Sequence, residues 1–167
     1  MFINKKKAVL VTGGAGYIGS ACVDRLIRDG HHVVVYDNFS TGQRDKIPDH
    51  AVVQEGDVLD EVALEAVFAK HAFDAVFHFA AKKAVGESEE RPEFYFQNNV
   101  VGTIQLLATM ARHKVSSLIF SSTAVVYAPT FEAHSGLSED SPIAPPNVYG
   151  VTKYVVETII KEFVRTG

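Results

Sequence analysis

The sequence predicts an α/β fold built on a doubly wound parallel sheet. Apolar runs recur along the chain, stretches with helical periodicity separate them, and a glycine-rich turn follows the first run. The apolar runs lack strict alternation, which is typical of strands covered on both faces. They lie at 8–12, 32–36, 51–55, 75–79 and 117–121. Right-handed crossovers between these five strands give the order 3-2-1-4-5.

Helices are expected between and after these strands. The helical patterns lie at 17–29, 60–71, 92–113 and 147–166. Pro92 suits the first turn of the third pattern, because the N–H group that proline lacks would have no intrahelical partner there. Asn147 suits the N-cap of the last pattern, since its side chain can accept a hydrogen bond from a first-turn N–H group. The connection 38–50 shows no convincing helical pattern.

The glycine-rich turn reads Thr-Gly-Gly-Ala-Gly-Tyr-Ile-Gly at 12–19. Its glycines fit Gly-x-Gly-x-x-Gly when counted from Gly14 and Gly-x-x-Gly-x-x-Gly when counted from Gly13. Glycines at such a turn let the backbone approach a pyrophosphate, and the following helix presents its free N–H groups to the phosphate charge. The turn therefore predicts a Rossmann-type dinucleotide site. The alternative is a glycine-rich turn without a ligand.

Asp37, at the end of the second predicted strand, bears on which dinucleotide binds. A carboxylate there can accept hydrogen bonds from both hydroxyls of the adenosine ribose, and it repels a 2′-phosphate. Asn38 follows it, rather than an arginine. These features favour NAD, although Arg44 lies close in sequence and leaves NADP open.

Composition narrows the class of protein. The chain has 167 residues, a formal charge of −4, 47% apolar residues and 22% charged residues, which is ordinary for a globular protein. We expect one domain over residues 1–167. The lysines at 5–7 form no extended basic patch, so nucleic acid is not an expected partner. No run approaches the ~20 apolar residues of a membrane span, and the cytoplasm is the expected compartment.

No metal site is expected. The single cysteine, Cys22, should pack within the first helix, and the histidines lack the spacing of metal ligands. His78, inside the fourth predicted strand, should be hydrogen-bonded in the sheet.

The chain stops soon after the fifth predicted strand and its helix. A two-half dinucleotide-binding sheet normally has a sixth strand, so the domain is expected to be incomplete, without its C-terminal part. The strand at 117–121 would then be an open apolar edge.

Tyr149 and Lys153 carry the predicted chemistry. They lie four residues apart in the last helical pattern, hence on one face. A lysine charge beside a tyrosine favours the tyrosinate, which can take a proton from a substrate hydroxyl as a hydride leaves the carbon. Thr123, just after the fifth strand, could donate a hydrogen bond to the reacting oxygen. The alternative for Thr123 is a hydrogen bond within its own turn.

Seven segments together resemble the UDP-glucose 4-epimerases, a family of extended short-chain dehydrogenases/reductases. These segments are Thr-Gly-Gly-Ala-Gly-Tyr-Ile-Gly-Ser at 12–20, Tyr-Asp-Asn at 36–38, Glu-Gly-Asp-Val at 55–58, His-Phe-Ala-Ala-Lys-Lys-Ala-Val-Gly-Glu-Ser at 78–88, Asn-Asn-Val at 98–100, Phe-Ser-Ser-Thr at 120–123 and Tyr-Gly-Val-Thr-Lys at 149–153. The resemblance spans the whole chain, and Lys-Ala-Val-Gly-Glu-Ser is its most discriminating part. Ala124 and Val125 stand where nucleotide-sugar dehydratases usually carry Asp-Glu.

The glycine motif and the resemblance together imply a set of site residues. The implied NAD contacts are Gly13, Gly16, Tyr17, Ile18, Gly19, Asp37, Asn38, Asp57, Val58, Phe79, Ala80, Lys83, Asn98, Tyr149 and Lys153. The implied catalytic residues are Tyr149, Lys153 and Thr123, and the implied substrate contacts are Lys83, Thr123 and Tyr149.

The resemblance implies an isomerase of galactose metabolism. It would interconvert UDP-galactose and UDP-glucose by oxidation and re-reduction at C4 of the sugar, with Tyr149 as the base. A homodimer is implied, formed by the helices at 92–113 and 147–166. Two alternatives stay open: another NAD-dependent reaction on a nucleotide sugar (dehydration, decarboxylation or reduction), and a truncated, non-catalytic NAD-binding module.

Overall fold

The computed structural model describes residues 6–129 and 136–166, and it contains one parallel sheet of five strands. The strands are β1 (Ala8–Thr12), β2 (His32–Asp37), β3 (Val52–Glu55), β4 (Ala75–His78) and β5 (Leu118–Phe120). Their order is β3-β2-β1-β4-β5, and all neighbouring pairs are parallel. The predicted fold class and strand order are confirmed.

The helices follow the predicted order with one addition. They are α1 (Tyr17–Arg28), α2 (Glu61–Lys70), α3 (Val85–Glu90), α4 (Pro92–Tyr95), α5 (Gly102–Arg112) and α6 (Val148–Thr166). A π-helical turn at Phe96–Val101 joins α4 to α5, and 3₁₀ turns occupy Arg44–Lys46 and Ala124–Val126. The patterns at 17–29, 60–71, 92–113 and 147–166 are confirmed, whereas α3 and the π turn were not predicted.

The chain divides into two compact units. The first comprises the chain up to Ala81 together with Gln105–Ser121, and it contains the whole sheet. The second comprises Lys82–Ile104 and the chain from Ser122 onward, and it contains α3, α4, the π turn and α6.

The core of the first unit explains why its strands lack polar alternation. Leu10 of β1 joins a buried cluster that includes side chains of α2 and α5. Its neighbours Val9 and Val11 join a second cluster, with Val23 of α1. Successive side chains of a strand point to opposite faces, so both faces of β1 are covered, and every position from Ala8 to Val11 is apolar.

Side-chain caps fix two helix starts. Asp60 Oδ1 accepts from the N–H group of Ala63 at 2.9 Å and begins α2. Asn147 Oδ1 accepts from the N–H group of Gly150 at 2.8 Å, which confirms the predicted cap of α6. Pro92 occupies the first turn of α4, as predicted.

Two negative findings concern only the part of the chain that the structure describes. There, no helix combines the length and apolar character needed to cross a bilayer. Histidine, cysteine and acidic side chains also form no cluster suited to a metal ion within residues 6–129 and 136–166. Cys22 is a half-buried free thiol, and its burial raises the pKa of that thiol.

Candidate active site

The glycine-rich turn is tightly packed against its own backbone. Gly13 has φ +70°, and a β-carbon there would lie 2.5 Å from the backbone nitrogen of Ala80. A β-carbon at Gly19 would lie 2.1 Å from the carbonyl oxygen of Gly13. Both positions therefore require glycine for the fold itself, whether or not a ligand binds.

Gly16 is less tightly enclosed by the protein than Gly13 and Gly19. Its φ of −77° is open to any residue, and a β-carbon there would meet only the Gly13 carbonyl oxygen, at 3.3 Å. Gly16 precedes α1, whose first turn has no side-chain cap and no acidic residue. Tyr17 and Ile18 are exposed beside it. The N-terminus of α1 is thus open to an anion.

Asp37 lies at the end of β2 and is almost fully buried. Its Oδ2 accepts from the N–H group of Ala15 at 2.9 Å, and its Oδ1 accepts from that of Phe39 at 2.8 Å. The carboxylate therefore anchors the glycine-rich turn, a role that the sequence analysis missed. A carboxylate has about four lone-pair positions, so acceptor capacity remains for ribose hydroxyls.

Asn38 and Asp57 lie together beside Asp37. Asn38 Nδ2 donates to Asp57 Oδ2 at 2.7 Å, and Asp57 Oδ1 accepts from the N–H group of Leu59 at 2.9 Å. The hydroxyl of Tyr36 donates to the Asp57 carbonyl at 2.9 Å, and burial raises the pKa of Tyr36 to about 12. Val58 follows, with its side chain in the core. The structure thus brings together the residues expected at the adenosine end.

Arg44 already has partners in this structure. Its guanidinium lies 4.3 Å from the centre of the Phe39 ring and 2.7 Å from Glu55 Oε2. The Glu55 charge opposes that of Arg44, so an incoming 2′-phosphate would have to compete with a carboxylate. NADP, the alternative cofactor that Arg44 left open, is therefore disfavoured.

The end of β4 lies against the same turn. The N–H group of Phe79 donates to the Thr12 carbonyl at 2.9 Å, and Gly13 packs on the backbone of Ala80. His78 is buried, with Nδ1 at 2.6 Å from the Thr12 hydroxyl, so it is hydrogen-bonded within the sheet as predicted.

In the second unit, α6 carries Tyr149 and Lys153 one turn apart. Lys153 is only 4% exposed, and this burial lowers its pKa to about 8. Tyr149 is half-buried. Its carbonyl accepts from the Thr152 hydroxyl at 2.7 Å. The lysine is therefore held in a low-dielectric environment, where its charge acts strongly on neighbouring groups.

Thr123 begins the 3₁₀ turn that leads toward α6. Its Oγ1 accepts from the N–H group of Val125 at 3.2 Å, so the turn hydrogen bond considered as the alternative is present. This bond uses a lone pair and leaves the hydroxyl proton available to donate. A β-carbon at Gly150 would lie 2.8 Å from the Val125 carbonyl, so the first turn of α6 passes closely over this 3₁₀ turn. Ser122 also donates to Glu157 of α6.

Two asparagines of the π turn are buried in the second unit. Asn98 Nδ2 donates to Asn99 Oδ1 at 3.0 Å. Asn99 Nδ2 donates to the Lys82 carbonyl at 3.0 Å and to the Thr152 hydroxyl at 3.1 Å. Lys83 follows Lys82 and is exposed. Sequence reasoning missed Asn99, whose signal was its place in the Asn-Asn-Val segment.

The predicted site residues therefore fall into two groups, one in each unit. The glycines, Tyr17, Ile18, Asp37, Asn38, Asp57, Val58, Phe79 and Ala80 lie in the first unit, whereas Lys83, Asn98, Thr123, Tyr149 and Lys153 lie in the second.

The model of the NAD dependent epimerase/dehydratase family matches residues 9–167. The chain belongs to this family. A curated relative, the UDP-glucose 4-epimerase of Corynebacterium glutamicum, is 44% identical over 93% of this chain and 46% of its own length. The chain spans about half the length of the curated relatives it matches.

Solved structures of the family show the same relationship. The UDP-glucose 4-epimerase from Brucella ovis in complex with NAD is 39% identical, with a TM-score of 0.88 over 94% of this chain and 47% of its own. The enzyme from Bifidobacterium longum in complex with NAD⁺ and UDP is 37% identical, with a TM-score of 0.86 over 93% of this chain and 48% of its own.

Proposed function

We propose that this chain is the NAD-binding part, over residues 1–167, of an enzyme that interconverts UDP-galactose and UDP-glucose. The relatives named above are UDP-glucose 4-epimerases, and two of them were solved with NAD. The observation that carries the proposal is the helix α6, which places a buried Lys153 one turn beyond Tyr149. That pair suits proton transfer at a sugar hydroxyl.

The residues of the first unit fit a bound NAD. The lack of a side chain at Gly16 and the uncapped start of α1 let a pyrophosphate approach the backbone, and the Asp37 carboxylate retains acceptors for the adenosine ribose. Asp37 and the Arg44–Glu55 pair together disfavour a 2′-phosphate. When bound, NAD supplies a reversible hydride acceptor for C4 of the sugar.

Tyr149 is the proposed base. Its phenolate takes the proton of the C4 hydroxyl as the carbon is oxidised, and it returns the proton when the carbon is reduced on the opposite face. The Lys153 ammonium, a neighbour on the same helix face, stabilises the phenolate. The Thr123 hydroxyl donates a hydrogen bond to the reacting oxygen. The protein recovers its starting protonation state after each turnover.

Epimerisation fits the segment after Thr123 better than dehydration does. Elimination of water needs a further acid and base near the sugar. The 3₁₀ turn at this point is Ala124–Val126, which is wholly apolar. Product analysis distinguishes the two: dehydration loses water from the sugar, whereas epimerisation interconverts isomers without net reduction of NAD.

Two further proposals concern the complete protein. We propose a homodimer formed by the helices at 92–113 and 147–166, because each exposes apolar side chains: Ile104 on the first, Phe163 and Val164 on the second. The proposed compartment is the cytoplasm, where UDP-sugars would be the partners of the site.

The function is tested by Tyr149→Phe in the complete protein, with Tyr154→Phe on the same helix as the matched control. We expect Tyr149→Phe to lower UDP-galactose turnover by about 10²-fold or more, because the proton acceptor is lost. NAD affinity should stay near that of the wild type, and Tyr154→Phe should remain active. Wild-type turnover in Tyr149→Phe would contradict the proposal.

A further inference from the structure

The first turn of α6 is capped by residues from a distant segment. The first four N–H groups of any helix lack intrahelical partners. Here the N–H group of Val148 donates to Glu89 Oε1 at 2.8 Å, and that of Tyr149 donates to Ser88 Oγ at 3.2 Å. The Asn147 side chain accepts only from the following N–H group, that of Gly150. The two N–H groups at the very start of α6 therefore depend on α3.

Hydrogen bonds of two buried side chains hold α3 in place. Ser88 is fully buried, and its hydroxyl donates to the Val85 carbonyl at 2.6 Å. That bond directs the proton away from α6 and leaves a lone pair of Ser88 Oγ to accept from Tyr149. Tyr95, also fully buried, lies 2.8 Å from both the Ala84 carbonyl and Glu87 Oε2. α3 is thus fastened at its start and along its length.

The charge of Glu89 adds to this cap. A carboxylate at a helix N-terminus interacts favourably with the partial positive charge of the free N–H groups. No acidic residue of α6 lies in its own first turn, so Glu89 is the carboxylate that supplies this interaction among the contacts described.

We propose that Ser88 and Glu89 are positioning residues for Tyr149. The inference rests on the proposed function, since Tyr149 must be the base for its position to matter. Tyr149 lies in the first turn of α6, whose backbone is fixed by the cap, whereas Lys153 lies in the next turn, where N–H groups have intrahelical acceptors. Loss of the cap frays the first turn and moves Tyr149 relative to Lys153. The substrate then binds as before, but the proton transfer is misaligned.

The experiment compares Glu89→Ala with Glu90→Ala in the complete protein. Both residues are exposed carboxylates of α3, and only Glu89 caps α6 in the described contacts. Losing one helix cap shifts the fraying equilibrium of the first turn by about fivefold, so we expect Glu89→Ala to lower kcat by up to about fivefold, with KM for UDP-galactose unchanged. Glu89→Gln, which keeps the acceptor oxygen, should recover most of kcat. Ser88→Ala should lower kcat similarly, and Glu90→Ala should match the wild type.

The failures of the two proposals are distinguishable. Wild-type turnover of UDP-galactose tests the function, and the ratio between variants tests the cap. An active wild type in which Glu89→Ala and Glu90→Ala have equal kcat would overturn the positioning role. So would a Glu89→Ala defect confined to KM, or one that Glu89→Gln does not recover.

Discussion

At the scale of single residues, the buried charge of Lys153 is the most informative feature. An ammonium that is only 4% exposed loses most of its hydration, and its pKa falls to about 8 from the usual 10.5. Strongly shifted pKa values of this kind cluster at functional sites. Its place on the face of Tyr149 is consistent with stabilising a phenolate.

This burial predicts how stability depends on pH. Because the pKa of Lys153 is lower in the folded state, the unfolded state binds more protons at this side chain between pH 8 and 10.5. The contribution of Lys153 to the free energy of unfolding therefore rises with pH through that range. The free energy of unfolding of the wild type minus that of Lys153→Met should therefore increase by roughly 2 kcal/mol from about pH 7 to about pH 10. Denaturant unfolding at both pH values measures it.

The subtraction cancels other groups that titrate in this range, such as Cys22, Tyr36 and Tyr95. The last two have their pKa raised to about 12 and would oppose the trend in the wild type alone. A difference between wild type and Lys153→Met that does not change with pH would show that the ammonium is not buried in solution.

At the residue scale, the sequence predicts which side chains suit the chemistry, but it does not predict the structural hydrogen bonds that the same side chains make. Its place at the end of the second predicted strand assigns Asp37 to the ribose, yet its bonds to Ala15 and Phe39 depend on the folded turn. Thr123 was expected to donate or to cap its turn, and the structure shows the capping bond. Asn99 was missed because a buried amide network has no local sequence period.

At the scale of elements, the strands were predictable because both faces of the sheet are covered. The runs at 8–12 and 32–36 are apolar at nearly every position, and β1 and β2 match them closely. α3 was missed because it has only six residues, includes Gly86, and exposes most of its surface, so no helical periodicity marks it. The π turn was missed because its residues continue a helical pattern and only its hydrogen bonds differ.

The start of α2 offers a test at this scale. Asp60 caps it by accepting from the N–H group of Ala63 at 2.9 Å. Asp60→Ala should lower the free energy of unfolding by about 1 kcal/mol, because that N–H group loses its acceptor. Asp60→Asn keeps an acceptor oxygen and should stay within about 0.3 kcal/mol of the wild type. Equal stability of Asp60→Ala and Asp60→Asn by denaturant unfolding would contradict the cap.

At the scale of the whole molecule, the residues proposed to bind the NAD phosphate and ribose and the residues proposed to be catalytic belong to different compact units. The first contains the sheet and the residues assigned to NAD phosphate and ribose, and the second contains Thr123, Tyr149 and Lys153. The doubly wound order was predictable, since it follows from alternating elements and right-handed crossovers. The division into units was not, because it depends on which helices pack together across long stretches of sequence.

A substitution at Gly16 can distinguish an effect on ligand binding from an effect on folding. A methyl group at Gly16 meets only one protein atom closely, at 3.3 Å, whereas one at Gly86 meets nothing within 4 Å. If a pyrophosphate lies on the N-terminus of α1, Gly16→Ala should obstruct it while the protein still folds. Gly86→Ala is the matched control.

The most direct test of the account is therefore a calorimetric titration of NAD into the wild type, Gly16→Ala and Gly86→Ala, each first shown to unfold cooperatively. We expect saturable binding by the wild type and Gly86→Ala, and affinity lowered by about tenfold or more in Gly16→Ala. A folded wild type that binds no NAD, or a Gly16→Ala variant that binds NAD as the wild type does, would contradict a dinucleotide site at this turn.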